Sequence, residues 1–264
     1  MTNDRHYRAG AVDLDAHNNS ERTRAPGNYG DWMKIDCVID PRDDIYRFFA
    51  SHPMAANPIR EYLSDGWRTL SELMLVLSSV DRALLGCRSV LEFAAGFGRF
   101  TRHLAKAMPG RVTCSDVMPG SVDFLREEFG VKGFYSSSDP ETLEIPGQYD
   151  LVFVLSLFTH LPPQRWSAWL RKLHAAVAPG GILLFSVHNE ARAKALGVSF
   201  DAQGTHFISS SESPSLDPGT YGTTFTTRRF AEREVASSLP GSAMHYREIA
   251  FWDGQDAIVV EREG

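Results

Sequence analysis

The chain has 264 residues, 43% of them hydrophobic, enough for one large core or for a core with a smaller appendage; neither a disordered nor a fibrous protein fits that composition. With 33 acidic and 27 basic residues the formal charge is -6, so no global field draws the chain to nucleic acid or to an anionic bilayer. Cys37, Cys87 and Cys114 are scattered and form no Cys-x-x-Cys pair, which argues against a disulfide framework and against a zinc site. The N-terminus lacks the apolar stretch of a secretory signal and no segment approaches the ~20 apolar residues that span a bilayer, so a cytoplasmic protein without a membrane partner is expected.

In chain order, residues 1–30 are polar and predict a flexible arm. Residues 31–86 predict a helical cap: Ile59, Leu63, Trp67, Leu70, Leu73, Met74 and Leu77 recur near helical spacing, and Gly66 suggests a break. From residue 87 to 264 a core is expected. It starts with a strand at "SVLEFAA", followed by a helix at "FTRHLAKAM", a strand at "RVTCSD" and a helix at "SVDFLREEF" closed by Gly130. A short strand "GFYSS" precedes "YDLVFVLSLF", whose unbroken apolar run suits a strand covered on both faces. A helix with Trp166, Trp169, Leu170 and Leu173 on one side then leads through a "PGG" turn to the strand "ILLFSV". Strands alternating with helices imply a parallel, doubly wound α/β sheet.

After residue 189 the rhythm breaks. Residues 195–225, rich in Ser, Gly and Pro, predict a loop or lid on the substrate side. "TTRRFAEREVASSL" reads as a helix with a Thr cap, and "SAMHYREIAFW" and "DAIVVERE" read as two closing strands joined at "DGQD". The number of subunits is not legible in the sequence.

In open parallel sheets ligands bind beyond the C-terminal strand ends, and "EFAAGFG" forms the first strand-to-helix turn. Gly96 and Gly98 there remove side chains where a ligand must approach backbone, or make a plain tight turn. Glu92 sits in an otherwise apolar strand, where an unpaired carboxylate is costly, and so calls for a cation or for donors. Asp116 ends the second strand 18 residues after Gly98, the place at which an acid accepts from ribose hydroxyls, unless it caps the following helix. Ser138 and Asp139 follow the third strand, where an adenine edge would lie. A dinucleotide would want a third glycine where Thr101 stands, and no Gly-Lys-Ser/Thr exists for a triphosphate. The turn therefore suits a phosphate-free nucleoside with a positive group near Glu92.

At these residues the chain resembles the class I S-adenosylmethionine-dependent methyltransferases, whose first motif reads acid-x-Gly-x-Gly-x-Gly. "EFAAGFG" supplies Glu92, Gly96 and Gly98 and departs by placing Ala94 at the first glycine. "YDLVFVLSLFTHLP" looks like the family's fourth motif, and the resemblance covers about residues 87–190. It implies a Rossmann-like seven-stranded sheet with an antiparallel closing hairpin, and S-adenosyl-L-methionine as cofactor. It also implies that Glu92, Ala94, Gly96, Gly98, Asp116, Val117, Met118, Ser138, Asp139 and Ser156 line the cofactor site.

The implied chemistry is an in-line displacement on an activated methyl, in which the protein contributes alignment and water exclusion. For a hydroxyl acceptor the candidate bases are His160, just past the fourth strand, and His188, after the fifth, each of which equally well fastens its loop through hydrogen bonds. Arg68 is a candidate for the methionyl carboxylate, or packs on the sheet. No acidic cluster near Ser156 and Thr159 suggests a metal, and "LSLF" departs from the Asn/Asp/Ser-Pro-Pro-aromatic pattern of nucleic-acid amino methyltransferases. The expected function is methyl transfer to a hydroxyl of a small molecule or glycan. A non-catalytic S-adenosylmethionine-binding module and a nicotinamide oxidoreductase are the alternatives.

Overall fold

A computed structural model describes residues 23–24, 30–31, 33–52 and 57–264. The expected arm at 1–30 lies almost wholly outside the described residues. Strand β1 (Thr23–Arg24) pairs antiparallel with β2 (Val38–Ile39). Helix α1 (Asp44–Ser51) follows, capped by Asp43, whose carboxylate accepts from the Ile45 and Tyr46 amides. Helix α2 (Pro58–Ser78) starts with Asn57 as cap and proline at its first position.

Gly66 does not break α2. A Cβ at that position would lie 2.0 Å from the Arg99 carbonyl oxygen and 2.8 Å from the His103 ring. The glycine lets the helix backbone touch the turn after the first core strand, a packing reason that hydrophobic periodicity does not reveal.

The core alternates as expected: β3 (Val90–Phe93), α3 (Thr101–Ala107), β4 (Val112–Asp116), α4 (Ser121–Phe129), β5 (Lys132–Tyr135), β6 (Tyr149–Val154), α5 (Trp166–Ala175) and β7 (Val177–His188). Gly130 closes α4 in the left-handed conformation, φ 64°. The "PGG" segment is not a turn ahead of β7 but an excursion inside it: Tyr149 pairs with Val177, and the register resumes at Leu151 with Ile182.

Then come α6 (Glu190–Ala195), β8 (Thr205–Ile208), β9 (Thr223–Thr226), α7 (Arg228–Ser238) and the hairpin β10 (Met244–Phe251) and β11 (Gln255–Glu261). The Thr227 hydroxyl caps α7, as the sequence suggests. The stretch expected to be all loop thus follows the short helix α6 and contains the antiparallel pair β8–β9, joined to β7 at His188 opposite Phe225; 196–204 and 209–222 are irregular.

The main sheet runs β10-β11-β7-β6-β3-β4-β5, parallel from β7 to β5 and antiparallel at the closing hairpin. Buried clusters cover both faces. Leu91, Phe93, Val152 and Val154 pack with Trp166, Trp169 and Phe230 on one face, while Val90, Leu151 and Phe153 pack with Leu73, Phe100, Leu104 and Phe124 on the other. Alternation along β3 puts Glu92 on the second face, under Thr101 and Cys114. Strand order reverses at β3, so the crevice between the C-terminal ends of β3 and β6 is the topological position for a ligand.

Candidate active site

A cavity of about 620 Å³ opens at that crevice. Its floor comes from the tips of β3, β4 and β6; α1, α2 and the 209–222 loop contribute walls. Loop and cap are clasped: Ser213 and Ser215 donate hydroxyl hydrogen bonds to the two Asp44 carboxylate oxygens, at 2.6 and 3.2 Å.

Glu92 and Asp116 line the same cavity and both are buried. Burial pushes the Glu92 carboxyl up to about 8, against hydrogen bonds from the Thr101 hydroxyl and the Cys114 thiol that favour ionisation. Asp116 Oδ2 accepts from the Gly96 amide at 2.7 Å and Oδ1 from the Met118 amide at 2.8 Å, so this acid ties the glycine turn to the tip of β4. It does not cap α4, whose first cap is Gly120 with no side-chain bond. Its burial also raises its pKa, against those backbone donors.

Ala94, Gly96, Val117, Met118, Ser138 and Ser156 all line the cavity. Ala94 adopts a left-handed φ of 62°, where its Cβ costs roughly 1–2 kcal/mol that a glycine would be spared. Gly96, φ 56°, faces open space: a Cβ there meets nothing within 4 Å. Two expected residues are elsewhere. Gly98 sits behind the turn, where a Cβ would come within 2.6 Å of Leu125 and Phe129, and so serves helix packing. Asp139 is exposed and its carboxylate accepts from the Glu141 amide in a surface turn; only the preceding Ser136–Ser138 backbone turn reaches the cavity. Arg68 is also outside the cavity, paired with Glu72 and Asp253; Arg99 is the arginine on the cofactor-side wall, bonded to Asp65 at 3.2 Å and stacked 4.4 Å over Trp252.

His160 and His188 lie close together on the opposite side, with ring centroids 6.4 Å apart. His160 Nδ1 is 2.6 Å from the Gly222 carbonyl and Nε2 is 3.1 Å from Glu212 Oε1. Both partners are acceptors, so each ring nitrogen is engaged by an oxygen of the 209–222 loop. The ring also stacks on Tyr221 at 4.4 Å. His160 therefore ties the 209–222 loop to the segment after β6. Glu212, which burial alone would raise, is brought down to about 2 by the hydrogen bond and charge of His160.

His188 differs. Its Nδ1–H donates to the Thr224 carbonyl at 3.0 Å, which fixes the tautomer that leaves Nε2 as an acceptor in a residue lining the cavity. Burial first, then the charge of His160, lowers its pKa to about 4, so the ring is neutral at physiological pH. Phe225 stacks on it at 4.9 Å. Behind it Ser186 donates to Gln255 Oε1, Gln255 Nε2 donates to Ser156 Oγ and the Ser156 amide donates to Ser186 Oγ. This ring of bonds holds Ser156 at its left-handed φ of 63° and joins β6, β7 and β11 at their ends.

Residues 90–181 match a family described as a methyltransferase domain. Residues 90–181 thus form a methyltransferase domain, and solved S-adenosylmethionine-dependent methyltransferases share its fold. That match overturns the nicotinamide alternative. A comparison with curated proteins gives no match. Solved structures of the same fold are numerous, 1059 chains, so the fold by itself selects no acceptor.

An S-adenosylmethionine-dependent methyltransferase from Clostridium acetobutylicum ATCC 824 superposes with TM-score 0.55 at 12% identity over 78% of this chain and 97% of its own. Magnesium protoporphyrin IX methyltransferase from Synechocystis PCC 6803, crystallised with S-adenosylhomocysteine, gives 0.53 at 17% over 83% and 94%. An O-methyltransferase family protein from Burkholderia thailandensis gives 0.53 at 18% over 82% of this chain; the match spans only 62% of that protein.

The methyltransferase domain's cofactor fits these residues. The volume lies in the range of small-molecule sites, a side chain at Gly96 would fill open cavity space, and the two acids Glu92 and Asp116 are buried in its lining. Glu212 and Gln255 escaped sequence reasoning, because one sits in a Ser-rich loop and the other at the start of the last strand, with no local pattern marking either. Among the described residues no helix is long and apolar enough to cross a membrane.

Proposed function

We propose that the enzyme transfers a methyl group from S-adenosylmethionine to a hydroxyl of a small molecule or glycan, with His188 as the group that receives the hydroxyl proton. The observation that carries this reading is the bond from His188 Nδ1–H to Thr224, which leaves Nε2 as a neutral acceptor at physiological pH on the cavity side opposite Glu92 and Asp116. The bound cofactor supplies a methyl activated by its sulfonium and its own leaving group.

This chain's residues do the rest. Asp116 is placed to accept from ribose hydroxyls with the lone pairs that the Gly96 and Met118 amides leave free. The Ser136–Ser138 turn, Val117 and Met118 flank the base. Glu92 offers a buried acid to the positive end. The 209–222 loop, held by His160–Glu212 and Asp44–Ser213, excludes water from the reacting atoms. Nucleic acid stays outside the acceptor classes because the chain carries a net charge of -6.

The test is turnover with a panel of phenols, sugars and amines, following S-adenosylhomocysteine. His188→Ala lowers kcat with hydroxyl acceptors by about 10²-fold, the low end for a general base, while S-adenosylhomocysteine affinity holds. Equal turnover by variant and parent would remove His188 from the chemistry. Tight cofactor binding with no methylated product from any acceptor would return the chain to the binding-module reading.

A further inference from the structure

The cavity is electrically divided. Around the tips of β3 and β4 stand the carboxyls of Asp116, Asp43 and Asp65, with Glu92 pushed up to about 8 by burial, against the guanidinium of Arg99, already paired with Asp65, and that of Arg165, which donates to the Ser138 carbonyl. On the side of β7 and the lid, His160 and Glu212 are paired with one another at 3.1 Å, His188 is neutral, and Tyr221 and Phe225 carry no charge. The charges left there are the Asp44 carboxylate, bonded by Ser213 and Ser215, and the Arg192 guanidinium.

Arg192 lies on α6, four residues after His188 at the end of β7, and lines the cavity. The other cavity arginines are engaged: Arg99 with Asp65 and Trp252, and Arg165 with the Ser138 carbonyl at 2.7 Å. Among the described residues no hydrogen bond, ion pair or ring contact engages the Arg192 guanidinium, although its backbone amide is bonded to Asn189. It lies across Gly254, where a Cβ would come within 2.8 Å of Nη1 and 3.6 Å of Cζ. Gly254, itself a cavity residue, gives the guanidinium a bare shelf. The positive charge is near enough to His188 to help hold that ring neutral.

We infer that Arg192 is a specificity-determining residue that binds a carboxylate on the methyl acceptor, orienting the acceptor's hydroxyl onto His188. This rests on the proposed hydroxyl methylation and names the acceptor class within it: small molecules with an anionic carboxylate beside an aromatic or aliphatic hydroxyl. An unpaired guanidinium offers the planar fork that matches a carboxylate through two parallel hydrogen bonds. The opposite half of the cavity, with its excess of acid, repels the same group and leaves it one polar seat.

The experiment uses the full chain saturated with S-adenosylhomocysteine and two probes, 3-hydroxybenzoate and 3-hydroxybenzamide, which differ in charge and hardly in shape. Calorimetry is expected to show the carboxylate bound at least tenfold tighter than the amide. Arg192→Gln brings that ratio close to one, with S-adenosylhomocysteine affinity and thermal unfolding retained. Arg192→Lys, which keeps charge without the fork, falls between. Gly254→Ala, which raises the shelf under the guanidinium, lowers the ratio without touching charge.

Equal affinity for the two probes, no measurable binding of either, or a preference that survives Arg192→Gln overturns the inference. Binding and turnover separate the two readings. A carboxylate preference that depends on Arg192 with no methylated product in the presence of S-adenosylmethionine leaves Arg192 in place and defeats the proposed reaction. Methylation of neutral phenols at the rate of hydroxy acids defeats Arg192 alone.

Discussion

The two halves of the cavity are built by different means. At the tips of β3 and β4 most of the lining comes from one short stretch of chain and the strand beside it: Glu92, Ala94 and Gly96, then Asp116, Val117 and Met118. At the tip of β7 the facing groups come from four separate places, His160 after β6, His188 at the strand end, Arg192 on α6 and Glu212 on the lid. The first half is held by backbone amides reaching one buried carboxylate; the second is held by side chains that hold one another. Removing a strut from the first half should therefore damage cofactor binding itself, whereas removing one from the second should leave the cofactor seated and loosen the acceptor side.

Asp116→Ala gives the largest effect. It deletes an acceptor for the Gly96 and Met118 amides and for two prospective ribose hydroxyls at once. Hydrogen bonds to a charged group contribute roughly 1.5–3 kcal/mol each, so S-adenosylhomocysteine affinity should fall about 100-fold by calorimetry, close to 3 kcal/mol. Asp116→Asn keeps one acceptor oxygen and should lose about tenfold. Affinity within twofold of the parent in both variants would mean that the turn needs no anchor at β4.

Glu212→Gln is the matching cut in the other half and should be milder. The pair with His160 is part-exposed at its glutamate, so solvent screening reduces what it contributes. Amides of the 209–222 loop should exchange with solvent several-fold faster, acceptor KM should rise about tenfold, and S-adenosylhomocysteine affinity should hold. Acid acts on the same latch. The Glu212 carboxyl is held at about 2 against an ordinary 4.5, so its contribution is complete above pH 4.5 and is lost as pH falls towards 2; the lid stays latched at neutral pH. Unchanged loop exchange in the variant would show that the Asp44–Ser213 and Asp44–Ser215 bonds hold the lid unaided.

The same contrast explains what the sequence makes legible. Alternating patterns, the Gly130 stop and the Thr227 cap are local, and they made the succession of strands and helices and the turn at the head of the cavity readable from the chain. Glu92 stood out because an acid in an apolar strand is conspicuous anywhere. Gly66 was misleading because its reason, the Arg99 carbonyl 2.0 Å from where a Cβ would be, lies 33 residues away in the chain. Asp139 misled by one residue: Ser138 reaches the cavity and the acid after it turns to solvent. The pairs His160–Glu212 and Arg192–Gly254 join segments whose separation only the folded sheet defines, and no spacing rule encodes them.

The smallest effect tests the electrostatics of the cofactor half. Glu92 titrates near 8 in the ligand-free fold because burial disfavours its charge, against 4.5 for an ordinary glutamate. A proton thus stays on Glu92 at pH 7 in the native state and leaves in the unfolded one, so the stabilisation this group gives is full below pH 4.5 and is lost as pH rises through 8. A cation beside it reverses the preference, and the proton leaves when S-adenosylmethionine enters. Calorimetric titrations at pH 7 in buffers of different ionisation heat should reveal release of most of one proton per site. Affinity should rise a few-fold from pH 7 to 8 and level off above that. Glu92→Gln should bind more weakly and release no proton, since its amide does not titrate. Parent and variant showing the same buffer dependence would place the cofactor's positive charge away from Glu92 and leave the acid as a partner of Thr101 and Cys114 only.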